Sequence, residues 1–244
     1  MARFVLVHGA FHGAWCWEPL VAELSGTYGH AATTFDLPGA GDDETPVADV
    51  TLDAYAERIC DALAEEPEPA VLVGHSMGGI AITQAAARCP ERIARLIYVA
   101  AFLPGDGQSL VDLAKLPEGA GDMVQENMVV EGEPPVATMP EEAAREAFYG
   151  RCSPRQADWA IERLRPQPLA PFVTPVELDD GDKGPPRAYV VATEDRAIPT
   201  ALQRRFVAEN DDLEVVELEA DHSPFLSATT ELAAALDRFA APRE

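Results

Sequence analysis

The stretch VLVGHSMGGIAI, residues 71–82, joins an apolar run to a segment of small residues through a polar corner. The run before the corner (69–75) predicts a buried strand, and the run after it (77–90) predicts a helix. Between them the letters GHSMG match the pattern G-x-S-x-G, which in a strand–turn–helix context holds a serine hydroxyl on a sharp, strained turn. An ordinary turn would not need glycine on both sides of one hydroxyl. We therefore expect Ser76 to be a nucleophile at the N-terminal end of a helix.

The rest of the chain alternates between strand and helix patterns. Short apolar runs predict strands at 3–9, 31–39, 93–102, 187–193 and 213–219. Apolar residues at helical spacing predict helices at 51–65 (with Thr51 as the N-cap), 200–209 and 229–240. Continuous apolar strands that alternate with helices are typical of a parallel sheet covered on both faces. The predicted fold class is therefore α/β, with a mostly parallel sheet flanked by helices.

The alternation stops between about Pro104 and Pro186, where 12 of the 21 prolines lie. Short helices are predicted there at 141–149 and 154–164. A disordered linker would have a similar proline content, but the aromatic and aliphatic residues of this segment give it material to pack. We therefore expect a mainly helical lid inserted into an α/β core. The predicted boundaries are 1–103 and 187–244 for the core and 104–186 for the lid.

The composition excludes several classes of function. The chain carries 42 acidic and 18 basic residues, a formal net charge of −24, and such a field repels nucleic acid and anionic membranes. No apolar run approaches the ~20 residues of a membrane span, and the N-terminus lacks the apolar stretch of a secretory signal. We expect a cytoplasmic protein without a nucleic-acid or membrane partner. The oligomeric state is left open, a homodimer included.

The four cysteines give no sign of a metal site. Cys16, Cys60, Cys89 and Cys152 form no CxxC pair and have no metal-like spacing with the five histidines. For a cytoplasmic chain this pattern predicts reduced, free thiols. Neither a metal nor an organic cofactor is implied.

A serine nucleophile needs a base, and the base needs an acid that orients it. In a strand–turn–helix architecture the acid and then the histidine follow the serine along the chain. His222 is the single histidine after Ser76. Asp195 follows a predicted strand one βα unit earlier, at the same edge of the sheet, so we expect it to be the acid. Glu194 and Asp221 are rivals, although neighbours in sequence such as Asp221 and His222 usually point apart.

Acyl transfer also needs N–H donors for the developing oxyanion. The Met77 N–H, at the start of the predicted helix, is one candidate. The loop HGAFHGAW (8–15) follows the first strand, and we expect the Ala10 N–H to be the second donor. His8 and His12 are spaced like metal ligands, but their loop offers no other ligand. We expect them to be hydrogen-bonded structural histidines.

Three segments and two late residues carry a resemblance to a known family. The loop HGAFHGAWCW, the segment DLPGAG (36–41), the elbow GHSMGG, Asp195 and His222 resemble α/β-hydrolases. They are most similar to the branch that holds plant methylesterases, including the salicylate-binding methylesterase, and the α-hydroxynitrile lyases. The resemblance spans most of the core and is weak through the lid. It implies the α/β-hydrolase fold, with Ser76 as nucleophile, Asp195 as acid, His222 as base, and Ala10 and Met77 as oxyanion donors.

Three positions separate the esterases of this branch from the lyases. The lyases carry Thr, Glu and Lys where this chain has Gly9, His75 and Ser223. Because the lysine supplies a cation for departing cyanide and the threonine holds the substrate hydroxyl, we expect ester hydrolysis here, with open space for an oxyanion at Gly9. A third class stays open, namely ligand-binding receptors of this fold with little turnover, since an intact triad does not prove turnover.

The lid should decide which ester is bound. Its Met123, Met128, Phe148, Tyr149 and Trp159 are suited to an apolar pocket, but helix packing would use the same residues. The sequence therefore predicts a serine carboxylesterase for small to medium, apolar or aromatic esters without naming the ester. The predicted substrate contacts are Gly9, Phe11, His12, Phe148, Trp159 and Ser223.

Overall fold

The computed structural model describes residues 1–178 and 184–241. Within these residues the strands are β1 Arg3–Val7, β2 Ala31–Thr34, β3 Ala70–His75, β4 Ile93–Val99, β5 Val129–Glu131, β6 Val136–Thr138, β7 Gln167–Pro168, β8 Arg187–Ala192 and β9 Glu214–Leu218. The α-helices are α1 Glu18–Tyr28, α2 Leu52–Ala64, α3 Gly78–Arg88, α4 Leu110–Ala114, α5 Met123–Asn127, α6 Glu141–Phe148, α7 Pro154–Ile161, α8 Ala170–Val173, α9 Thr200–Ala208, α10 Pro224–Ser227 and α11 Thr229–Ala240.

Six strands form one parallel sheet in the order β2-β1-β3-β4-β8-β9. Its two faces carry separate apolar cores, because alternate residues of a strand point to opposite faces. Val5 and Val7 of β1 belong to the core shared with α2 and α3. Phe4 and Leu6 belong to the core shared with α1 and α11. The predicted parallel sheet covered on both faces is confirmed.

The start of α2 follows a local sequence signal, but the sequence of α1 carries no clear helix pattern. The Thr51 hydroxyl accepts the Ala54 N–H at 3.0 Å and caps α2, as predicted. The sequence patterns do not predict α1, because Gly26 lies within it and only Leu20 and Leu24 are buried along its length. Packing against α11 sustains this helix despite its weak pattern.

Two strands end three or more residues before their predicted ends. The strand predicted at 31–39 ends at Thr34, and the strand predicted at 93–102 ends at Val99. Leu37 and Phe102 lie beyond these ends, yet both are buried in the core. The sequence therefore stays apolar past the ends of these strands because the loops are buried, although strand pairing has stopped.

The described residues between β4 and β8 pack against the loops that follow β1 and β3, for example where the Tyr149 hydroxyl meets His12. We call these residues the cap. The cap contains α4 to α8, with α6 and α7 at the places predicted for short helices, and an antiparallel sheet in the order β5-β6-β7. The patterns do not predict this sheet, because its strands have only two or three residues. The predicted lid and core also include residues 179–183 and 242–244, which lie outside the described residues. The division into core and lid stays a prediction.

Cys60 in α2 and Cys89 just after α3 form a disulfide, so the prediction of four free thiols is wrong for this pair. The two helices pack side by side on one face of the sheet, which brings together cysteines 29 residues apart. Sequence spacing alone does not reveal such proximity. Cys16 and Cys152 are free. Among the described residues, no helix combines the length and apolar character needed to cross a membrane.

Candidate active site

Ser76 occupies the corner between β3 and α3 with a backbone φ of 55°. This left-handed conformation is uncommon for residues other than glycine. The flanking glycines allow a close approach of the backbone. A Cβ at Gly74 would lie 2.7 Å from the Gly78 carbonyl oxygen, and a Cβ at Gly78 would lie 2.9 Å from that of Val7. The structure therefore contains the strained strand–turn–helix corner that the pattern predicts.

His222 lies in the loop between β9 and α10, and its ring meets Asp195 in the loop after β8. The His222 Nδ1–H donates to Oδ2 of Asp195 at 2.8 Å, and both side chains are almost fully buried. The other oxygen, Oδ1, accepts the N–H groups of Ala197 and Ile198 at 2.8 and 2.9 Å. Because Nδ1 is engaged, Nε2 is the ring nitrogen left for proton transfer.

The two rival carboxylates are held elsewhere. Asp221 accepts hydrogen bonds from the backbone N–H of Arg151 at 2.8 Å and from the Ser227 hydroxyl at 2.6 Å. Glu194 is exposed and pairs with the guanidinium group of Arg151. Both carboxylates therefore anchor Arg151 and its neighbours, and neither orients the histidine.

Ser76 and His222 line one cavity with a volume of about 140 Å³. In the described parts of the chain, the Ser76 hydroxyl makes no hydrogen bond with protein, so it is free to turn toward a base or a substrate. Apolar side chains of the cap form much of the wall opposite the core loops. They include Leu110, Val124, Met128, Phe148 and Phe172.

Two backbone N–H groups in the cavity wall, those of Ala10 and Met77, have no acceptor among the described residues. Ala10 is held by His12, whose Nδ1–H donates to the Ala10 carbonyl oxygen at 2.7 Å. The His12 Nε2 accepts the Tyr149 hydroxyl at 2.8 Å. Burial lowers the pKa of His12 to about 3, so the ring stays neutral and keeps this pattern of bonds. The cap thus helps to hold the loop that presents the Ala10 N–H.

His8 is used in the same way. Its Nδ1–H donates to the Gly9 carbonyl oxygen at 2.8 Å, and its Nε2 accepts the Leu37 N–H at 3.1 Å. Burial lowers the pKa of His8 as well. Both loop histidines therefore have the hydrogen-bonded structural role that the sequence predicts. His12 is not among the residues that line the described cavity, and its contact with a substrate stays a prediction.

Gly9 does not provide the open space expected from the sequence, and that expectation is wrong. A Cβ at this position would lie 2.8 Å from Cβ of Ser76 and 2.9 Å from Nδ1 of His75. The His75 ring is fully buried, and its Nε2–H donates to the His222 carbonyl oxygen at 2.7 Å. Burial holds the pKa of His75 well below its usual value. A side chain at position 9 would therefore displace either Ser76 or the neutral His75 ring.

The remaining predicted substrate contacts divide into two groups. Phe11 and Phe148 line the cavity, whereas Trp159 and Ser223 do not. Trp159 packs edge-on against Trp15, with 5.2 Å between the ring centroids. Ser223 is fully buried, and its hydroxyl has no partner among the described residues.

Several polar residues at the site carry no signal in the sequence. The Gln167 side-chain oxygen accepts the Phe11 N–H at 3.3 Å, and the Gln203 side-chain nitrogen donates to Asp195 at 2.8 Å. Asp122 lines the cavity, and burial raises the pKa of its carboxyl group. No local motif marks these residues, because each is a lone polar side chain whose role depends on contacts with distant parts of the folded chain.

Comparisons with known proteins agree with this geometry. The family model described as "Alpha/beta hydrolase family" matches residues 4–235. Pheophorbidase of Raphanus sativus is 34% identical over 252 residues, covering 98% of this chain and 94% of its own. Methylesterase 7 of Arabidopsis thaliana is 31% identical over 255 residues, covering 96% and 94%. The crystal structure of a pyrethroid hydrolase from Sphingobium faniae JZ-2 matches with a TM-score of 0.89 at 28% identity, covering 98% and 97%.

Other relatives are longer than this chain. It spans between 53% and 68% of the length of five sequences from Arabidopsis thaliana that are named as chloroplast methylesterases. The predicted resemblance to the methylesterase branch is confirmed by these matches. On the family match over residues 4–235 and the similarity to full-length relatives, the chain belongs to the α/β-hydrolase family.

Proposed function

We propose that this chain is a carboxylic ester hydrolase that works through an acyl intermediate on Ser76. One arrangement carries the proposal: a strained serine corner and a carboxylate-bound histidine meet at the same cavity. The names of two relatives, a methylesterase and a pyrethroid hydrolase, support hydrolysis of esters as the reaction class.

Acylation begins when Nε2 of His222 takes the proton of the Ser76 hydroxyl while Oγ attacks the ester carbonyl carbon. The π electron pair of the carbonyl moves to its oxygen, which accepts hydrogen bonds from the Ala10 and Met77 N–H groups. Each such donor is worth about 2.7–4 kcal/mol in a measured case. Asp195 holds the Nδ1–H in place and stabilises the imidazolium that forms.

The alcohol leaves before water enters. The imidazolium gives its proton to the alkoxy oxygen as the C–O bond breaks, and the acyl group stays on the serine oxygen. Water then attacks the acyl carbon while the histidine takes one of its protons. That proton passes to the serine oxygen as the carboxylic acid departs, so one ester and one water give one acid and one alcohol.

The cavity limits the size of the ester. Its volume of about 140 Å³ is close to that of an engineered apolar cavity of roughly 150 Å³ that binds benzene. The wall is mostly apolar, with Phe11, Phe148 and Phe172 among its members. The ester we propose therefore carries one apolar or aromatic group about the size of a single ring. A larger ester would need the cap to move.

Cyanohydrin cleavage is the competing chemistry. It releases cyanide as an anion, which needs a cation nearby in a poorly solvated pocket. The residue after the base is the neutral Ser223, and Gly9 leaves no room for a hydroxyl-bearing side chain. Lys115 does line the cavity, a cation that sequence analysis misses, but it is exposed to solvent. We expect cyanide release from mandelonitrile far below the rate of aryl acetate hydrolysis, and a comparable rate that Ser76→Ala abolishes would favour the lyase.

Removal of the base tests the proposal against a receptor of the same fold. His222→Ala should remove nearly all hydrolysis of p-nitrophenyl acetate, whereas Ser25→Ala on the exposed side of α1 should keep the full rate. A serine-reactive phosphonate should add its mass to Ser76 in the natural chain, because the serine is activated by its base. A receptor without an activated serine would stay unlabelled. Normal turnover by His222→Ala, or failure to label Ser76, would sink the assignment.

A further inference from the structure

We infer that Gln203 is a positioning residue for Asp195 and, through Asp195, for His222; the inference rests on the proposed function. Gln203 lies in α9 and is fully buried. Its Nε2 donates to Oδ2 of Asp195 at 2.8 Å. The same oxygen accepts the Nδ1–H of His222 at 2.8 Å. A glutamine amide and the imidazole therefore share one carboxylate oxygen.

The other contacts of the amide hold Gln203 itself in place. Its Oε1 accepts the N–H of Ala192, the last residue of β8, at 3.0 Å. Its Nε2 also donates to the Ile198 carbonyl oxygen at 2.7 Å, and the Ile198 N–H donates to Oδ1 of Asp195. One side chain thus ties the strand end, the acid loop and the carboxylate together. Removal of one partner would leave a buried donor or acceptor without a hydrogen bond, which lowers the stability of the fold. These bonds therefore depend on one another.

Sharing of Oδ2 has a chemical consequence. An N–H donor withdraws negative charge from the oxygen and also keeps the carboxylate from rotating. Without that donor, Asp195 becomes a stronger acceptor, which favours the protonated imidazole of His222 over the neutral base. Only the neutral base can take the serine proton, so the acidic limb of the pH profile of kcat/KM should move to higher pH. A glutamine that only filled space would not move this limb.

Gln203→Met tests the inference, because methionine keeps the length of the side chain and removes the amide. We expect kcat on p-nitrophenyl acetate to fall about tenfold and the acidic limb to move up by about half a pH unit or more. Gln84→Met is the matched control, since the side chain of buried Gln84 bonds to the backbone of Glu177 and, within the described residues, to no other group. The control should keep the wild-type limb. In an Asp195→Asn background, Gln203→Met should lower kcat little further, because the two residues act as one unit.

A folded Gln203→Met enzyme with the wild-type rate and limb would overturn the inference. If this variant does not fold, NMR on the natural chain decides. The side-chain amide protons of Gln203 should shift with pH at the midpoint of the acidic limb, while those of Gln84 should not. A flat response from Gln203 would overturn the inference. Full hydrolysis by Ser76→Ala would instead refute the proposed function, and it would leave the NMR coupling of Gln203 to His222 unchanged.

Discussion

The Nδ1 atom of His222 lies 2.8 Å from Oδ2 of Asp195, although 27 residues separate the two along the chain. The parallel sheet accounts for this contact, because β8 and β9 are neighbouring parallel strands and their following loops meet at one edge. Asp221 is adjacent to the histidine in sequence, yet its carboxylate bonds to Arg151 and Ser227. Topology, and not sequence proximity, decides which carboxylate bonds to the His222 ring.

Asp195→Asn should therefore lower kcat by on the order of 10⁴, since an amide at this place favours the wrong histidine tautomer. Asp221→Asn is the matched control, because it removes a charge next to the histidine without touching the ring's partner. We expect the control to lose stability at the Arg151 contact and to keep most of its kcat. Hydrolysis of p-nitrophenyl acetate measures both. A wild-type rate in Asp195→Asn together with an inactive Asp221→Asn would mean that the wrong carboxylate was chosen.

Gly9→Ala should damage both stability and rate, because the new methyl group would lie 2.8 Å from Cβ of Ser76. We expect the free energy of unfolding in urea to fall by about 1–3 kcal/mol and hydrolysis to slow by about 10²-fold as Ser76 shifts. Gly26→Ala is the control, since nothing lies within 4 Å of a Cβ there. Because the site is α-helical, Gly26→Ala should raise the free energy of unfolding by about 0.5–1 kcal/mol. Unchanged stability and rate in Gly9→Ala would contradict the packing described around His75.

Phe148 and Trp159 should respond differently to truncation. Phe148 lines the cavity and its ring centroid lies 5.6 Å from that of His222, so Phe148→Ala should change the relative kcat/KM among esters of different size. Trp159 packs on Trp15 outside the cavity, so Trp159→Ala should lower the melting temperature and leave ester preference unchanged. A panel of p-nitrophenyl esters and a thermal melt separate the two effects. Equal shifts of ester preference in both variants would contradict the placement of Phe148 in the cavity wall and of Trp159 outside it.

His12 should make the fold sensitive to acid. Its pKa is about 3 in the folded chain because of burial, against about 6.5 in an unfolded chain. Between these two pH values the unfolded chain binds more protons than the folded chain. The contribution of neutral His12 to the free energy of unfolding is therefore complete above about pH 6.5 and is lost as the pH is lowered toward 3. His12→Gln should reduce the slope of the unfolding free energy by up to about 1.4 kcal/mol per pH unit. Tyr149→Phe, which keeps the titrating ring, should retain that slope between about pH 6 and 5, and identical slopes for His12→Gln and the natural chain would refute this role.

The α/β core and the serine corner could be predicted from sequence because their signals are local. Gly74 and Gly78 flank the serine within five residues, and the alternating periodicities of strands and helices stand in continuous runs. The single histidine after the serine left little choice of base. The choice of Asp195 needed only the rule that parallel strands end at one edge of the sheet.

The features that could not be predicted depend on contacts between distant segments. The Cys60–Cys89 disulfide, the bond from Gln203 to Asp195 and the His75 ring that fills the space beside Gly9 all require the packed fold. The cap is the hardest part, because Phe148 and Trp159 have similar sequence signals and different surroundings. One lies at the cavity and the other packs on Trp15.

Ester hydrolysis through an acyl group on Ser76 can be observed directly. The most direct measurement mixes the protein with an excess of p-nitrophenyl acetate, quenches within milliseconds, and maps the acyl mass by peptide mass spectrometry. We expect a burst of p-nitrophenol, an acetyl group on the peptide that contains Ser76, and loss of both in Ser76→Ala. Sustained hydrolysis by Ser76→Ala at the rate of the natural chain, or an acyl group found only on another residue, would contradict hydrolysis through Ser76.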